Sequence, residues 1–316
     1  MWTLGIDIGG TRIKAGLVDA GGAVAGSRAG PTPAGLQALE AALHSLVGEF
    51  SSRAGAAGVA SKGIINPATT EVEVLPGTLH YLEGHRLGDL IRPCLPPGVP
   101  IFADNDARAA LAGEVMWGAA RGRSHVVMLT LGTGVGGAVL AEGRLLRGKR
   151  GVAGHLGHLT VDPDGAVCIC GNQGCLETVF SARAIESEAL SAVRRGCDSE
   201  LTERFRDCPQ SLTCQAVFEA AQAGDRVARL IRDRALTYLA GAVAGLVHAY
   251  DPEVVIVGGQ IAEAGPALFD PLRTAVAWRT RGLLRCEVPI VQAGPSSRSG
   301  ITGAAALRWL HGERHV

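Results

Sequence analysis

The stretch 2-WTLGIDIGGTRIKAGLVDAGG-22 decides how the chain is read. Its first half, 2-WTLGIDIGG-10, is a short strand ending in a glycine turn, and 12-RIKAGLVDAGG-22 reads as a second strand with a turn at Asp19–Gly22. A strand that ends in Gly9, Gly10 and Thr11 presents backbone N–H groups and a hydroxyl, which suits phosphate oxygens. Asp7 could hold Mg2+ through water, and an ordinary hairpin turn is the plainer reading. The pattern recurs in 124-SHVVMLTLGTGVGGAVLAEGR-144, whose 131-LGTGVGG-137 carries Gly132, Thr133 and Gly134. Two strand–glycine-turn–strand units, at 4–18 and 126–140, read as an internal duplication. Neither is a Walker loop, since G-x-x-x-x-G-K-[ST] is missing. Neither opens directly into a helix, as the dinucleotide fingerprint requires. Together with 257-VGGQIAEAG-265, whose Gly258-Gly259 turn could approach a nucleoside, they suggest a nucleotide clamped between lobes.

Around these hairpins the chain alternates strands and helices, an α/β pattern. Residues 36–50 place Leu36, Leu39, Leu43, Leu46, Val47 and Phe50 at helical spacing. A strand and glycine turn follow at 57-AGVASKGII-65, and a strand running into a helix at 99-VPIFADNDARAALAGE-114. Residues 178–249 are mainly helical, 253-EVVIVGGQIAEAG-265 is the last strand and turn, and 300-GITGAAALRWL-310 has helical spacing. The segment 192–212 is the least patterned and is expected to be a mobile connection.

Bulk properties narrow the function. Lys plus Arg number 30 and Asp plus Glu 30, so the net charge is zero. A dominant nucleic-acid or membrane-surface role would usually leave a basic excess. The N-terminus lacks the features of a signal peptide, and the longest apolar passage, 235-ALTYLAGAVAGLV-247, is shorter than the ~20 residues of a membrane span. The expectation is a cytoplasmic protein. Glycine, at 44 of 316, is about twice the usual ~7%, which points to turns and close backbone approaches.

Of eight cysteines, Cys168, Cys170 and Cys175 crowd together while Cys94, Cys197, Cys208, Cys214 and Cys286 are scattered. In a reducing compartment that crowding favours a metal over disulfides. Three soft ligands on a glycine-rich loop, completed by a nearby histidine, make a closed tetrahedral Cys3His zinc site. Either His155 or His158 can be the fourth ligand, and spacing does not choose between them. Glu177, just beyond Cys175, would be held rigidly and is suited to sugar hydroxyls, although glutamate also favours helix N-termini. Asn105-Asp106 stands where a strand gives way to a helix. An aspartate there can take a proton from a hydroxyl attacking phosphorus, or one of the run Asp104-Asn105-Asp106 can simply cap the helix. Lys14 and Lys149 could touch phosphate but read as solvated.

Taken in order, 7-DIGGTRIK-14, 105-NDARAALAGE-114, 131-LGTGVGG-137, 154-GHLGHLTVDPDG-165, 168-CICGNQGCLE-177, 217-VFEAAQAGD-225, 251-DPEVVIVGG-259 and 303-GAAAL-307 resemble the ROK family of repressors, open reading frames and sugar kinases. The resemblance covers nearly the whole chain. It implies an actin-like, ribonuclease-H-like two-domain fold with ATP and sugar in a central cleft. The domains it implies are an N-terminal α/β domain over 1–112, a larger C-terminal α/β domain with the zinc loop over 113–299, and a helix at about 300–316 packed back on the first.

By the same resemblance Asp106 is the general base that activates the sugar 6-hydroxyl. Asn105 and Glu177 hold sugar hydroxyls. His158 is the zinc ligand with Cys168, Cys170 and Cys175, and also lies against the sugar. Both hairpins (Asp7, Gly9, Gly10, Thr11; Gly132, Thr133, Gly134) contact ATP phosphates with Mg2+, Gly258-Gly259 approaches the nucleoside, and the protein is a homodimer. One position departs. Family kinases carry G-E-x-G-H, whereas here the run is Gly154-His155-Leu156-Gly157-His158. A neutral imidazole offers one donor and one acceptor where a carboxylate only accepts, so hydroxyl recognition by His155 must differ. The resemblance therefore implies an ATP-dependent kinase for a glucose-like or modified hexose, an aminosugar or a cyclitol. Two other functions compete. A DNA-binding regulator of the family carries a helix-turn-helix domain ahead of the first hairpin, and here that hairpin begins within ten residues of Met1. A non-catalytic sugar-binding protein would be expected to have lost Asp106 or a phosphate loop.

Overall fold

The structure is a computed structural model that describes residues 1–66, 68–294 and 296–311. The chain forms two compact units, one made of Met1–Ser124, Ala138–Gly154 and Gly294–Val316, the other of His125–Gly137 and His155–Ala293. Residues 312–316 of the expected C-terminal helix lie outside the described residues.

Twelve strands are present among the described residues: β1 Trp2–Ile8, β2 Arg12–Val18, β3 Val24–Pro31, β4 Ala54–Ser61, β5 Ile64–Ile65, β6 Val72–Val74, β7 Ile101–Asn105, β8 Val126–Leu131, β9 Val135–Ala141, β10 Arg144–Leu145, β11 Val254–Gly258 and β12 Ile290–Gln292. The first large sheet has the order β3-β2-β1-β4-β7 and the second β10-β9-β8-β11-β12. The two orders are the same walk. In the first, an antiparallel β1–β2–β3 meander is extended by β4 and β7 parallel to β1; in the second, β11 and β12 run parallel to β8. The duplication read from the two glycine hairpins is thus a duplication of sheet topology. The small β5–β6 hairpin stands apart.

In the first unit the helix Leu36–Ser51 buries Leu39, Leu43, Val47 and Phe50, the stripe its spacing predicts, in a core with Leu4, Ile6, Ile13, Leu17 and Val59. The helices Asp106–Trp117 and Ser296–His311 pack on each other, and the second also packs on β1 and β4. Glycine makes this possible: a side chain at Gly5 would strike the Ile301 carbonyl, and one at Gly58 the Ala304 carbonyl. In the second unit the apolar passage 235–247 lies inside the helix Arg226–Tyr250, packed against the helices Cys214–Ala223 and Pro266–Thr280. No helix among the described residues is long and apolar enough to cross a membrane.

The segment 192–212 is more ordered than its sequence suggests. It holds the helix Glu200–Asp207, whose Ser199 side chain accepts from the Leu201 N–H and whose Glu200 pairs with Arg204 at 2.7 Å. Only Leu201 of that helix is buried. A cap and an ion pair hold it, and neither leaves a hydrophobic period to read.

Candidate active site

The first unit gathers its polar residues at one edge of its sheet. In register, Asp7, Ala60 and Asp104 face one another across β1, β4 and β7, and the next row is Ile8, Ser61 and Asn105. The first residues beyond the three parallel strands are therefore Gly9, Lys62 and Asp106. Ligands in open α/β sheets collect outside the carboxyl ends of parallel strands.

Asn105 and Asp106 share the capping work that competed with a chemical role. Asn105 is the N-cap, and its Oδ1 accepts from the Ala107 N–H at 2.9 Å. Asp106 Oδ1 accepts from the same N–H at 2.8 Å. The Asn105 amide also donates to the Gly63 carbonyl at 3.0 Å, fixing the turn that follows Lys62. The Asp106 side chain reaches solvent, yet the protein around it desolvates the carboxyl and raises its pKa. The Ala107 N–H, Lys62 and Arg108 pull the other way. Asp7, half-buried, is pushed up to about 6, first by burial and then by the charge of Asp106; Lys14 opposes this. Lys14 is thus part of the local charge balance rather than merely solvated.

Asp104 is not a free acid. Arg108 Nε lies 2.6 Å from one oxygen and Arg147 Nε 2.9 Å from the other. Arg108 is fully buried, and its Nη1 donates to the Gly151 and Ala153 carbonyls at 3.0 and 3.1 Å. The start of the helix Asp106–Trp117 is thereby tied to the chain segment that runs into Gly154 and His155.

Backbone hydrogen bonds close both glycine turns. The Gly9 N–H is engaged, donating to the Arg12 carbonyl at 3.0 Å, and Gly132 N–H donates to Gly134 at 3.0 Å. These bonds close the two tight hairpins. Gly10 has a different constraint: a side chain there would come within 3.1 Å of Lys62 Nζ and 3.0 Å of Thr78 Oγ1. Lys62 in turn donates to Thr78 Oγ1 at 3.1 Å. Sequence reasoning passed over Lys62 and Arg108; the only signal for Lys62 was a charged residue in a strand-ending turn.

In the second unit Glu177 Oε2 accepts from the Val135 N–H at 2.9 Å, and its carboxylate occupies the space a side chain at Gly134 would need. Glu177 therefore braces the second glycine hairpin. Gly259, at φ 85°, brings its backbone against Leu131 at the base of the same hairpin, where no side chain would fit.

The group of side chains that could hold a metal includes His158 and not His155. Ligand atoms of His158, Cys168, Cys170 and Cys175 all lie within 4.8 Å of one another. Cys168 Sγ is 3.6 Å from His158 Nδ1, and Cys170 Sγ is 3.6 Å from Cys175 Sγ. A tetrahedral zinc with Zn–S of about 2.3 Å and Zn–N of about 2.0 Å has ligand edges of about 3.5–3.8 Å, so the donor set fits. Burial and then the neighbouring thiols push Cys175 up to about 12. Thiols crowded in this way release their protons to a bound cation. His155 and His158 begin and end one short 3-10 turn, Leu156–His158 with His155 as its cap, and His155 stays outside the cluster.

Comparison with known proteins gives a consistent result. The profile described as "ROK family" matches residues 3–309. A glucokinase of Thermotoga maritima is 35% identical over 308 residues, covering 96% of each chain. An N-acetylmannosamine kinase of Escherichia fergusonii is 35% identical over 317 residues, 97% of this chain and 98% of that one. The crystal structure of a ROK family glucokinase from Streptomyces griseus, in complex with glucose and AMPPNP, superposes with a TM-score of 0.79 at 30% identity, covering 97% and 99% of the two chains.

Proposed function

The chain belongs to the ROK family and has its actin-like ATPase fold, and we propose that it is an ATP-dependent kinase transferring the γ-phosphoryl group to the primary 6-hydroxyl of a hexose. The observation that carries this reading is the row Gly9, Lys62, Asp106 at the carboxyl edge of three parallel strands, with Asp7 beside it. Asp106 is the base: its Oδ2 takes the hydroxyl proton as the oxygen attacks phosphorus. Desolvation raises its pKa, which makes it a stronger base than a fully solvated carboxylate. Asn105 presents its amide, and His155, His158 and Glu177 present further donors and acceptors, to the sugar hydroxyls. Gly9, Gly10, Thr11, Gly132, Thr133 and Gly134 approach the phosphates and Gly258-Gly259 the nucleoside.

Two metals fit the residues. Asp7 and Asp106 repel each other electrostatically, and a Mg2+ brought by ATP and held near Asp7 would offset that charge. Zn2+ held by His158, Cys168, Cys170 and Cys175 supplies rigidity to the loop that ends at Glu177. Cytoplasmic localisation and a homodimer belong to the same proposal. The relatives include glucokinases and N-acetylmannosamine kinases at the same 35% identity, so the hexose is to be found by assay.

The test is a coupled ADP-release screen over glucose, mannose, their N-acetylated forms and inositols. One of these is expected to drive ADP release, and Asp106→Asn is expected to lower kcat by about 10²–10⁴-fold while sugar binding persists. ADP release with none of them favours a non-catalytic sugar-binding protein. Full turnover by Asp106→Asn removes Asp106 from the mechanism.

A further inference from the structure

We propose that Lys62 is a further catalytic residue, its ammonium contacting the phosphoryl group as it passes from ATP to the substrate hydroxyl. The proposal rests on the sugar-kinase reading. Three independent observations meet at this side chain. The register of β1, β4 and β7 makes Lys62 the middle residue of the row, between the first glycine turn and Asp106. Its Nζ lies so near Gly10 that a side chain at that position would come within 3.1 Å of it. Thr78 Oγ1 accepts a hydrogen bond from the same nitrogen at 3.1 Å, which steers the flexible stem towards the turn.

An ammonium has three donors, and Thr78 uses one. The ammonium stands against the glycine turn at Gly10, and its charge acts on Asp106, which must be ionised to act. In the transfer, the bond from the γ-phosphorus to the bridging oxygen of ADP breaks and a bond from phosphorus to the sugar oxygen forms. The hydroxyl proton goes to Asp106, and ADP leaves with the electron pair of the broken bond. Lys62 keeps its protons throughout. It offsets charge on the equatorial oxygens in transit, the role that fixed cations usually have in phosphoryl transfer. The charged groups around Asp106 are Lys62 after β4, Arg108 on its own helix, and Asp7 on β1, with Lys14 of β2 acting on Asp7. Lys62 therefore has a second effect, favouring the ionised form of Asp106.

The experiment compares the wild type with Lys62→Met and Lys62→Arg, using MgATP and the best sugar of the screen, with thermal unfolding of each variant. Lys62→Met is expected to lower kcat about 100-fold with the sugar KM within about threefold. Lys62→Arg should recover part of kcat. The acid limb of the Lys62→Met profile should move to higher pH, because Asp106 loses a cation that favours its charged form. A Lys62→Met enzyme with kcat near wild type overturns the proposal, as does an effect confined to sugar KM. Equal losses in both variants together with a fall in Tm also overturn it, since they mark structural support through Thr78. A wild type that turns over no sugar overturns both this proposal and the kinase reading; an active wild type with an unaffected Lys62→Met overturns only the role of Lys62.

Discussion

Replacing Asp7 by Asn should stabilise the protein at neutral pH and leave it little changed in acid. The Asp7 carboxyl is pushed from 3.8 up to about 6 by burial and by Asp106. A raised carboxyl pKa means the folded chain binds the proton more tightly than the unfolded chain. Its contribution is fully present below about pH 3.8 and is lost as the pH rises through about 6. A full shift of about 2 units corresponds to about 3 kcal/mol at 1.36 kcal/mol per unit. Between about pH 4.5 and 7.5 the accessible part is about 2 kcal/mol. Asn has no such term, so the stability gap between variant and wild type should widen by that amount across the window. Urea unfolding at a series of pH values, in magnesium-free buffer so that no cation stabilises the aspartate, measures the gap directly. Curves for wild type and Asp7→Asn that run parallel from acid to neutral would refute the reasoning. The same substitution should abolish turnover, which would make Asp7 a residue retained for chemistry against stability.

The other predictions concern the second unit and the buried arginine. Removing zinc with a chelator should open the 155–177 loop to proteolysis and raise the sugar KM at least about tenfold; an unchanged KM would separate the metal from substrate binding. His155→Glu should shift relative kcat/KM towards glucose by about tenfold, the scale of one altered hydrogen bond, and an unchanged sugar profile counts against His155 as the specificity residue. Arg108→Met should destabilise the fold by about 3–5 kcal/mol, because Asp104 is left buried with Arg147 as its remaining ion-pair partner. A loss under about 1 kcal/mol in urea unfolding would show that the Asp104–Arg108 contact is not needed.

Much of the fold was legible because its signals are local. Gly9-Gly10 and Gly132–Gly134 close hairpins between alternating strands, and Leu39, Leu43, Val47 and Phe50 mark a helix face. The three cysteines are close in sequence, and folding brings His158 to them while His155 stays outside the group. What could not be read depends on which strands become neighbours. Lys62 is an unremarkable lysine until β4 pairs with β1 on one side and β7 on the other. The brace from Glu177 to Val135 spans 42 residues of chain, and the helix Glu200–Asp207 is held by polar contacts with no period.

The helix Ser296–His311 also dictates an order of assembly. It is made after every other described element, yet it seals the face of the sheet that is made first, at Gly5 and Gly58. During synthesis the second unit has all its strands and its His158–cysteine group before the first unit has its cover. The apolar face of β1 and β4 is therefore without this cover while more than two hundred residues are added. Loss of the last helix should consequently be felt first at the amino-terminal sheet, far away along the chain.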